Sequence, residues 1–202
     1  MEKTAPKLYG LVLAGGKSTR MGSDKGLITY HDVPQQEYLY QLLEQLCDVV
    51  FLSVREEQES SVDKAYKTIV DKNEYRGPFN GILSAHASHP NAAWLVLACD
   101  LPLLDLESIK QLVEQRDSDS SATSFATNQT KLPEPLITIW EPEGLQKAIT
   151  HLETSESSCP RKFLLNTNTK LVFPQQDEVL YNANSLSEYE FAKSKIALNH
   201  GE

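Results

Sequence analysis

The sequence predicts an α/β fold, a single domain whose mostly parallel central sheet is covered by helices on both faces. Three observations carry this expectation. Short apolar runs alternate with stretches of helical spacing through the first two-thirds of the chain, as expected for strands buried on both sides and joined by crossover helices. The length of 202 residues suffices for one ordinary core and is short for two. No internal repeat, low-complexity segment or linker divides residues 1–202.

Taken in order, Leu8 to Ala14 is an apolar run that reads as a short buried strand. It empties into Gly15-Gly16 and a loop carrying Lys17, Arg20 and Lys25. From Gln35 to Leu46, residues Tyr38, Leu39, Leu42, Leu43 and Leu46 recur at helical spacing. Val49 to Val54 is a β-branched and aromatic run, a second strand. Glu56 to Tyr66 is charged and reads as a loop with a surface helix, and Lys67 to Val70 makes a third strand ending at Asp71. A turn at Tyr75 to Ile82 leads into a helix through about His89. Ala93 to Ala98 is a fourth strand running into Cys99-Asp100, stopped by Pro102, and Asp105 caps a helix from Leu106 to about Gln115. A polar loop at Asp117 to Ser121 precedes strands at Ala122 to Asn128 and Pro135 to Trp140, with a turn near Gln129 to Leu132. Helices are expected at Glu143 to His151 and Pro160 to Leu165, and a strand at Lys170 to Phe173. After Tyr181 to Ser185 comes a last helix through about Leu198.

Composition narrows the function. A formal charge of −9 argues against a surface that grips nucleic acid through its phosphates. Cys47, Cys99 and Cys159 lie far apart with no C-x-x-C, which is neither a disulfide framework nor a zinc knuckle and suits a reducing cytosol. No apolar run approaches the ~20 residues that span a bilayer, and Met1 to Lys7 lacks the apolar core of a signal peptide. The expectation is a cytoplasmic protein with no membrane contact.

Two places carry chemistry. Glycines at a strand end free the backbone and remove Cβ atoms, so a ligand can approach the main chain. Backbone N–H groups in such a loop form an anion-binding concavity, which nearby cations reinforce. Neither G-x-x-x-x-G-K-[ST] nor G-x-G-x-x-G is present, so this is not a Walker loop or a dinucleotide fingerprint. The second place is Asp100, one acid at the end of a wholly apolar strand. Such a carboxylate loses hydration unless it is paired, hydrogen-bonded or metal-bound. Magnesium takes one or two protein carboxylates and fills its shell with water and substrate phosphates. The glycine loop, Asp71 and Asp100 each follow the carboxyl end of an expected strand, where ligands bind in such sheets. They are therefore expected to converge on one edge.

The stretch Leu13-Ala14-Gly15-Gly16, Arg20-Met21 and Lys25 resembles the L-A-G-G-x-x-x-R-M-x-x-x-K signature of nucleotidyltransferases that activate sugars and cofactors. Cys99, Asp100, Pro102 and Leu104 resemble the C-D-x-P-x-L segment around their metal-binding aspartate. Asp71 with Gly77-Pro78-Phe79-Asn80-Gly81, Pro135-Leu136 and Asn182-Ala183-Asn184-Ser185 narrow the resemblance to the molybdenum cofactor guanylyltransferases. The resemblance implies a Rossmann-like three-layer sandwich of the nucleotide-diphospho-sugar transferase type. It implies transfer of GMP from GTP to the terminal phosphate of molybdopterin, with release of pyrophosphate and with Mg2+ on Asp100. Arg20, Lys25 and Asp100 would be catalytic. Leu13, Ala14, Gly15, Gly16, Lys25, Ser53, Asp71, Gly77 and Asp100 would bind the nucleotide, and Gly81, Asn182 and Asn184 the acceptor. Other cofactor-synthesis proteins or acceptor molybdoenzymes are the partners it implies.

Several readings stay open on the residues. Ser53 stands where the family often has asparagine, with Arg55 nearby, so the base could be cytosine, with CTP as donor, or the acceptor a sugar phosphate. A protein that binds nucleotide without turnover is the alternative from another class. Ser185 with Glu188 also fits a capping box with no substrate role. Arg161-Lys162 could be a solvated helix face or a hold on an anionic pterin phosphate.

Overall fold

A computed structural model describes residues 4–16, 25–154 and 157–199. Within them lie β1 (Leu8–Leu13), β2 (Val49–Val54), β3 (Thr68–Val70), β4 (Ala93–Ala98), β5 (Ala122–Ala126), β6 (Pro133–Trp140) and β7 (Thr169–Val172). The helices are α1 (Gln35–Glu44), α2 (Glu56–Glu59), α3 (Pro78–Ser88), α4 (Leu106–Glu114), α5 (Pro142–Thr154), α6 (Pro160–Leu165) and α7 (Leu186–Asn199). The strands form one sheet in the order β3-β2-β1-β4-β6-β5-β7. β1 pairs in parallel with β2 and β4, β2 with β3, and β5 with β7, while β6 runs antiparallel to both neighbours. The mostly parallel sheet is therefore as expected, with one reversed strand. Its reversal brings the first residues of β6 beside the carboxyl end of β4.

Alternation along the strands divides the core in two. Leu8 and Val12 of β1, with Val50, Leu52, Leu95 and Leu97, pack against Leu39 and Leu43 of α1 and Ile109 and Leu112 of α4. Leu11, Trp94, Val96 and Trp140 face the other side, against Phe79 and Ile82 of α3, Leu145 of α5 and Phe163 of α6. Every residue of β4 is buried, which is why its sequence is apolar without interruption. A third, small cluster of Tyr30, Ala183, Ala192 and Ile196 fastens α7 to the segment after residue 27.

The element boundaries moved in places. α2 spans four residues of the Glu56 to Tyr66 stretch, and short 3-10 turns at Lys25–Leu27 and Asp177–Leu180 carried no sequence signal. β6 begins at Pro133, two residues before the expected start. Pro133 and Pro135 are tolerated because β4 pairs with β6 only from Ile137 onward and the β5 register shifts between Ser124 and Ala126. Asp105 caps α4 as expected, its carboxylate accepting from the Ser108 N–H at 2.8 Å. No helix among the described residues is long and apolar enough to cross a membrane.

Candidate active site

A cavity of about 500 Å³ opens at the carboxyl edge of β1 to β4, within the range of small-molecule sites. Its walls come from segments distant in sequence: Leu13 to Gly16 at the end of β1, Lys25, Ser53 and Arg55 around the end of β2, Asp71 after β3, Gly77, Pro78, Asn80 and Gly81 at the start of α3, Asp100 after β4, and Leu136 of β6. The convergence expected from the strand ends is present.

On one side, Lys25 Nζ lies 3.5 Å from Asp100 Oδ2 and donates to Asn184 Oδ1. Both side chains of the pair remain partly accessible, 25% for Lys25 and 19% for Asp100. The chain around Asp100 is held by its carbonyls. Asp100 O accepts from the Ala183 N–H at 2.9 Å, Leu101 O from Gln35 Nε2 at 3.1 Å and Leu104 O from Tyr38 at 3.2 Å. Pro102 O lies 2.8 Å from His31 Nε2, which must carry the proton because a carbonyl only accepts. Asn184 is set by its own anchor: Glu188 accepts from the Asn184 N–H and the Ser185 hydroxyl, both at 2.8 Å. Those two bonds, with Ser185 Oγ accepting from the Glu188 N–H, are the reciprocal cap of α7.

On the other side, Asp71 accepts from Ser53 Oγ at 2.6 Å. Burial pushes its carboxyl above the ordinary range, opposed by the Ser53 bond, the Arg55 charge and Asn80. The glycines beside it have a specific cause. A Cβ on Gly15 would come within 2.8 Å of Asp71 Oδ2, and one on Gly81 within 2.9 Å of Leu13 and 3.3 Å of Asp71 Oδ1, as well as striking Ser53 Oγ. Both glycines admit the aspartate. At Gly16, by contrast, a Cβ would meet open space. Gly77 caps α3 at φ +64°, a left-handed conformation that favours glycine.

Among the expected site residues, Leu13, Ala14, Gly15, Gly16, Lys25, Ser53, Asp71, Gly77, Gly81 and Asp100 all line this cavity, and Asn184 reaches it through Lys25. Asn182 does not: it is exposed and its amide donates to Leu180 O at 3.2 Å, within its own turn. Arg20 lies outside the described residues. Arg161 is engaged in a bidentate pair with Glu134, both bonds 2.9 Å, and donates to Pro133 O. Glu134 was not legible in the sequence. Burial raises its carboxyl, Arg161 opposes this, and the Asp100 charge adds to it. Arg55 and Asn80, quoted in the sequence only as neighbours of Ser53 and Gly81, line the cavity too, and Tyr75 is a further lining residue for which proximity in the fold is the signal.

The residues suit a hard divalent cation that brings phosphates with it. Asp100 Oδ1 is buried without a hydrogen-bond partner among the described residues, an arrangement costly for a carboxylate unless a cation completes it. The Asn184 amide oxygen points at the same ammonium that Asp100 faces, so two oxygen donors flank one cationic position. Among the described residues no three His, Cys, Asp or Glu side chains form a group that could hold a metal ion.

The chain is similar to several known proteins. The "Molybdenum cofactor biosynthesis bifunctional protein" of Synechocystis is 38% identical over 197 residues, covering 94% of this chain. This chain spans 56% of that relative's length. The "Molybdenum cofactor guanylyltransferase" of Pseudomonas fluorescens is 29% identical, covering 87% of this chain and 88% of its own. The crystal structure of "Molybdopterin-guanine dinucleotide biosynthesis protein A" from Archaeoglobus fulgidus superposes with a TM-score of 0.76 at 17% identity, covering 94% of this chain and 99% of the other, and shares the fold. With the MobA-like NTP transferase domain matched over residues 10–171, this α/β chain belongs to the MobA-like NTP transferase family.

Proposed function

We propose that this chain, as one transferase domain over residues 1–202, transfers GMP from GTP to the terminal phosphate of molybdopterin, releasing pyrophosphate. The observation that carries the reading is the cavity itself, where Lys25 and Asp100 stand 3.5 Å apart beside the glycine-floored end of β1. The names of the relatives support the acceptor and the base.

The reaction is an in-line displacement. An oxygen of the acceptor phosphate forms a bond to the α-phosphorus of the nucleotide, and the bond to the bridging oxygen breaks, its electron pair leaving with pyrophosphate. Backbone N–H groups of the Ala14 to Gly16 segment cradle the phosphates. Lys25 and Arg20 neutralise charge that builds on the departing pyrophosphate, the role in which fixed donors lower such barriers. Asp71, Ser53 and Gly77 bound the nucleoside end, and Asn184 faces the acceptor; Gly81, expected at the acceptor, packs instead against Ser53 and Asp71 at the nucleoside end. No side chain acts as base, because a phosphate nucleophile is already anionic. Asp100 would hold Mg2+, which when bound would supply positive charge to offset that of the phosphates. We propose a cytoplasmic setting, with cofactor-synthesis proteins or acceptor molybdoenzymes as partners and no nucleic acid.

Isothermal titration of the purified chain with GTP, CTP and ATP in the presence of Mg2+, followed by molybdopterin-dependent pyrophosphate release, tests this reading. Tightest binding and release with GTP is expected. Preference for CTP would reassign the base, and binding without release would make the chain a nucleotide sensor.

A further inference from the structure

α2 is a four-residue helix with no buried residue, so packing does not explain it. Its hydrogen bonds do. Gln58 Oε1 accepts from the Arg55 N–H at 3.0 Å, which closes the helix cap, and this orients the same amide so that Nε2 donates to Ala14 O at 3.3 Å. The Arg55 guanidinium donates to Gly15 O while its Nε donates to Glu57 at 2.8 Å, which holds the plane of the group. The two successive carbonyls of the glycine loop are thus both gripped from the β2 side of the sheet.

A peptide unit is planar and trans, so its C=O and the next N–H point in opposite directions. Fixing Ala14 O and Gly15 O toward α2 turns the N–H groups of Gly15 and Gly16 away from it. In the strand order, β1 lies between β2 and β4. The opposite direction is therefore the side of β4, where Asp100 and Lys25 stand. Neither N–H has a hydrogen-bond partner among the described residues, and the space at Gly16 is open. The bond of the Ala14 N–H to Ser53 O, 2.9 Å, fixes the preceding unit in the regular ladder.

We infer that Gln58 and Arg55 are positioning residues, a clamp on the carbonyls of Ala14 and Gly15 that presents two adjacent N–H groups to the phosphates of the bound nucleotide. This rests on the nucleotide reading above and adds the device that keeps the loop in its binding form without a ligand. A flexible glycine pair left unheld would sample many peptide orientations, and each would have to be given up on binding. With the clamp in place that ordering precedes the ligand, the general advantage of preorganisation.

The test uses the full chain and two ligands that differ in phosphate, GTP with Mg2+ and guanosine, titrated against wild type, Gln58→Met and Arg55→Lys. Gln58→Met keeps length and removes the donor; Arg55→Lys keeps a charged donor near Gly15 O. Expected is a three- to tenfold loss of GTP affinity in Gln58→Met, the size of one hydrogen bond, with guanosine affinity unchanged and with Arg55→Lys closer to wild type. Unchanged GTP affinity, or equal losses for both ligands, would overturn the clamp while leaving the nucleotide site standing. Failure of the wild type to bind either ligand would instead overturn the nucleotide reading. Should Gln58→Met not fold, the wild type decides: inorganic pyrophosphate is expected to shift the Gly15 and Gly16 amide resonances together, and immobility of both refutes the inference.

Discussion

Gly81→Ala sets two opposing magnitudes against each other. Gly81 is in the first turn and a half of α3, where alanine is favoured over glycine by up to about 1 kcal/mol of helix propensity. Its new Cβ, however, would lie 2.9 Å from Leu13 Cδ2 and 3.3 Å from Asp71 Oδ1 and would collide with the Ser53 hydroxyl. Overpacking of this kind costs about 1–3 kcal/mol, and it parts a 2.6 Å hydrogen bond to a half-buried carboxylate. Steric cost wins, and the net destabilisation is expected at about 0–2 kcal/mol, the gain in helix propensity being subtracted from the packing cost. In a domain of this size each kcal/mol lowers Tm by about 2–4 °C. Because the nearest offending atom is the Ser53 oxygen, Ser53→Ala should relieve part of the strain. Urea denaturation of wild type, both single variants and the double variant forms a cycle, and a coupling of at least ~1 kcal/mol is expected for groups in contact. Additivity within ~0.5 kcal/mol, or a Gly81→Ala protein more stable than wild type, would refute the close approach at Asp71.

Three further outcomes follow from other parts of the molecule. Burial raises the Asp71 carboxyl, so its favourable contribution is complete below the ordinary aspartate pKa of about 3.9 and is lost as pH rises through the folded value; urea titrations across that window should show wild type losing stability relative to Asp71→Asn with rising pH, and parallel curves would contradict it. Lys25 occupies the position between Asp100 and Asn184, so Lys25→Ala should bind Mn2+ more tightly without nucleotide, read by electron paramagnetic resonance, while turnover falls about 100- to 1000-fold; Asp100→Ala should lose both, and weaker Mn2+ binding by Lys25→Ala would show that the ammonium is no competitor. At the opposite end of the sheet, the buried Glu141 carboxylate takes two bonds from Arg116, 2.6 and 2.9 Å, while Arg116 also donates to Pro6 O; Glu141→Ala should cost about 3–5 kcal/mol in denaturation and leave GTP affinity intact, and a loss of affinity in the folded variant would mean the two ends are coupled.

Much of the fold was legible because its causes are local. β4 reads as a strand since all six of its residues are buried, which demands an unbroken apolar run. The Asp105 cap and the Ser185–Glu188 pair declare two helix starts through bonds spanning three residues. The candidate site was legible in its strand-end residues, because chain direction in a parallel sheet already assigns Gly15, Asp71 and Asp100 to one edge. Asn182 shows the limit. It shares a four-residue motif with Asn184, yet one side chain turns back on Leu180 and the other meets Lys25, and nothing in the adjacency of the two asparagines distinguishes them.

The sequence by itself determined the class of fold, the edge where chemistry gathers and the identity of the lysine and aspartate that face each other there. These depend on burial period, helix capping and strand direction, each encoded within a few residues. Only the tertiary structure decided why Gly15 and Gly81 must lack a side chain, which way the glycine-loop carbonyls point and that Arg161 is already paired with Glu134. Those facts are distances between segments tens of residues apart, and they are set by how the covering helices seat on the sheet.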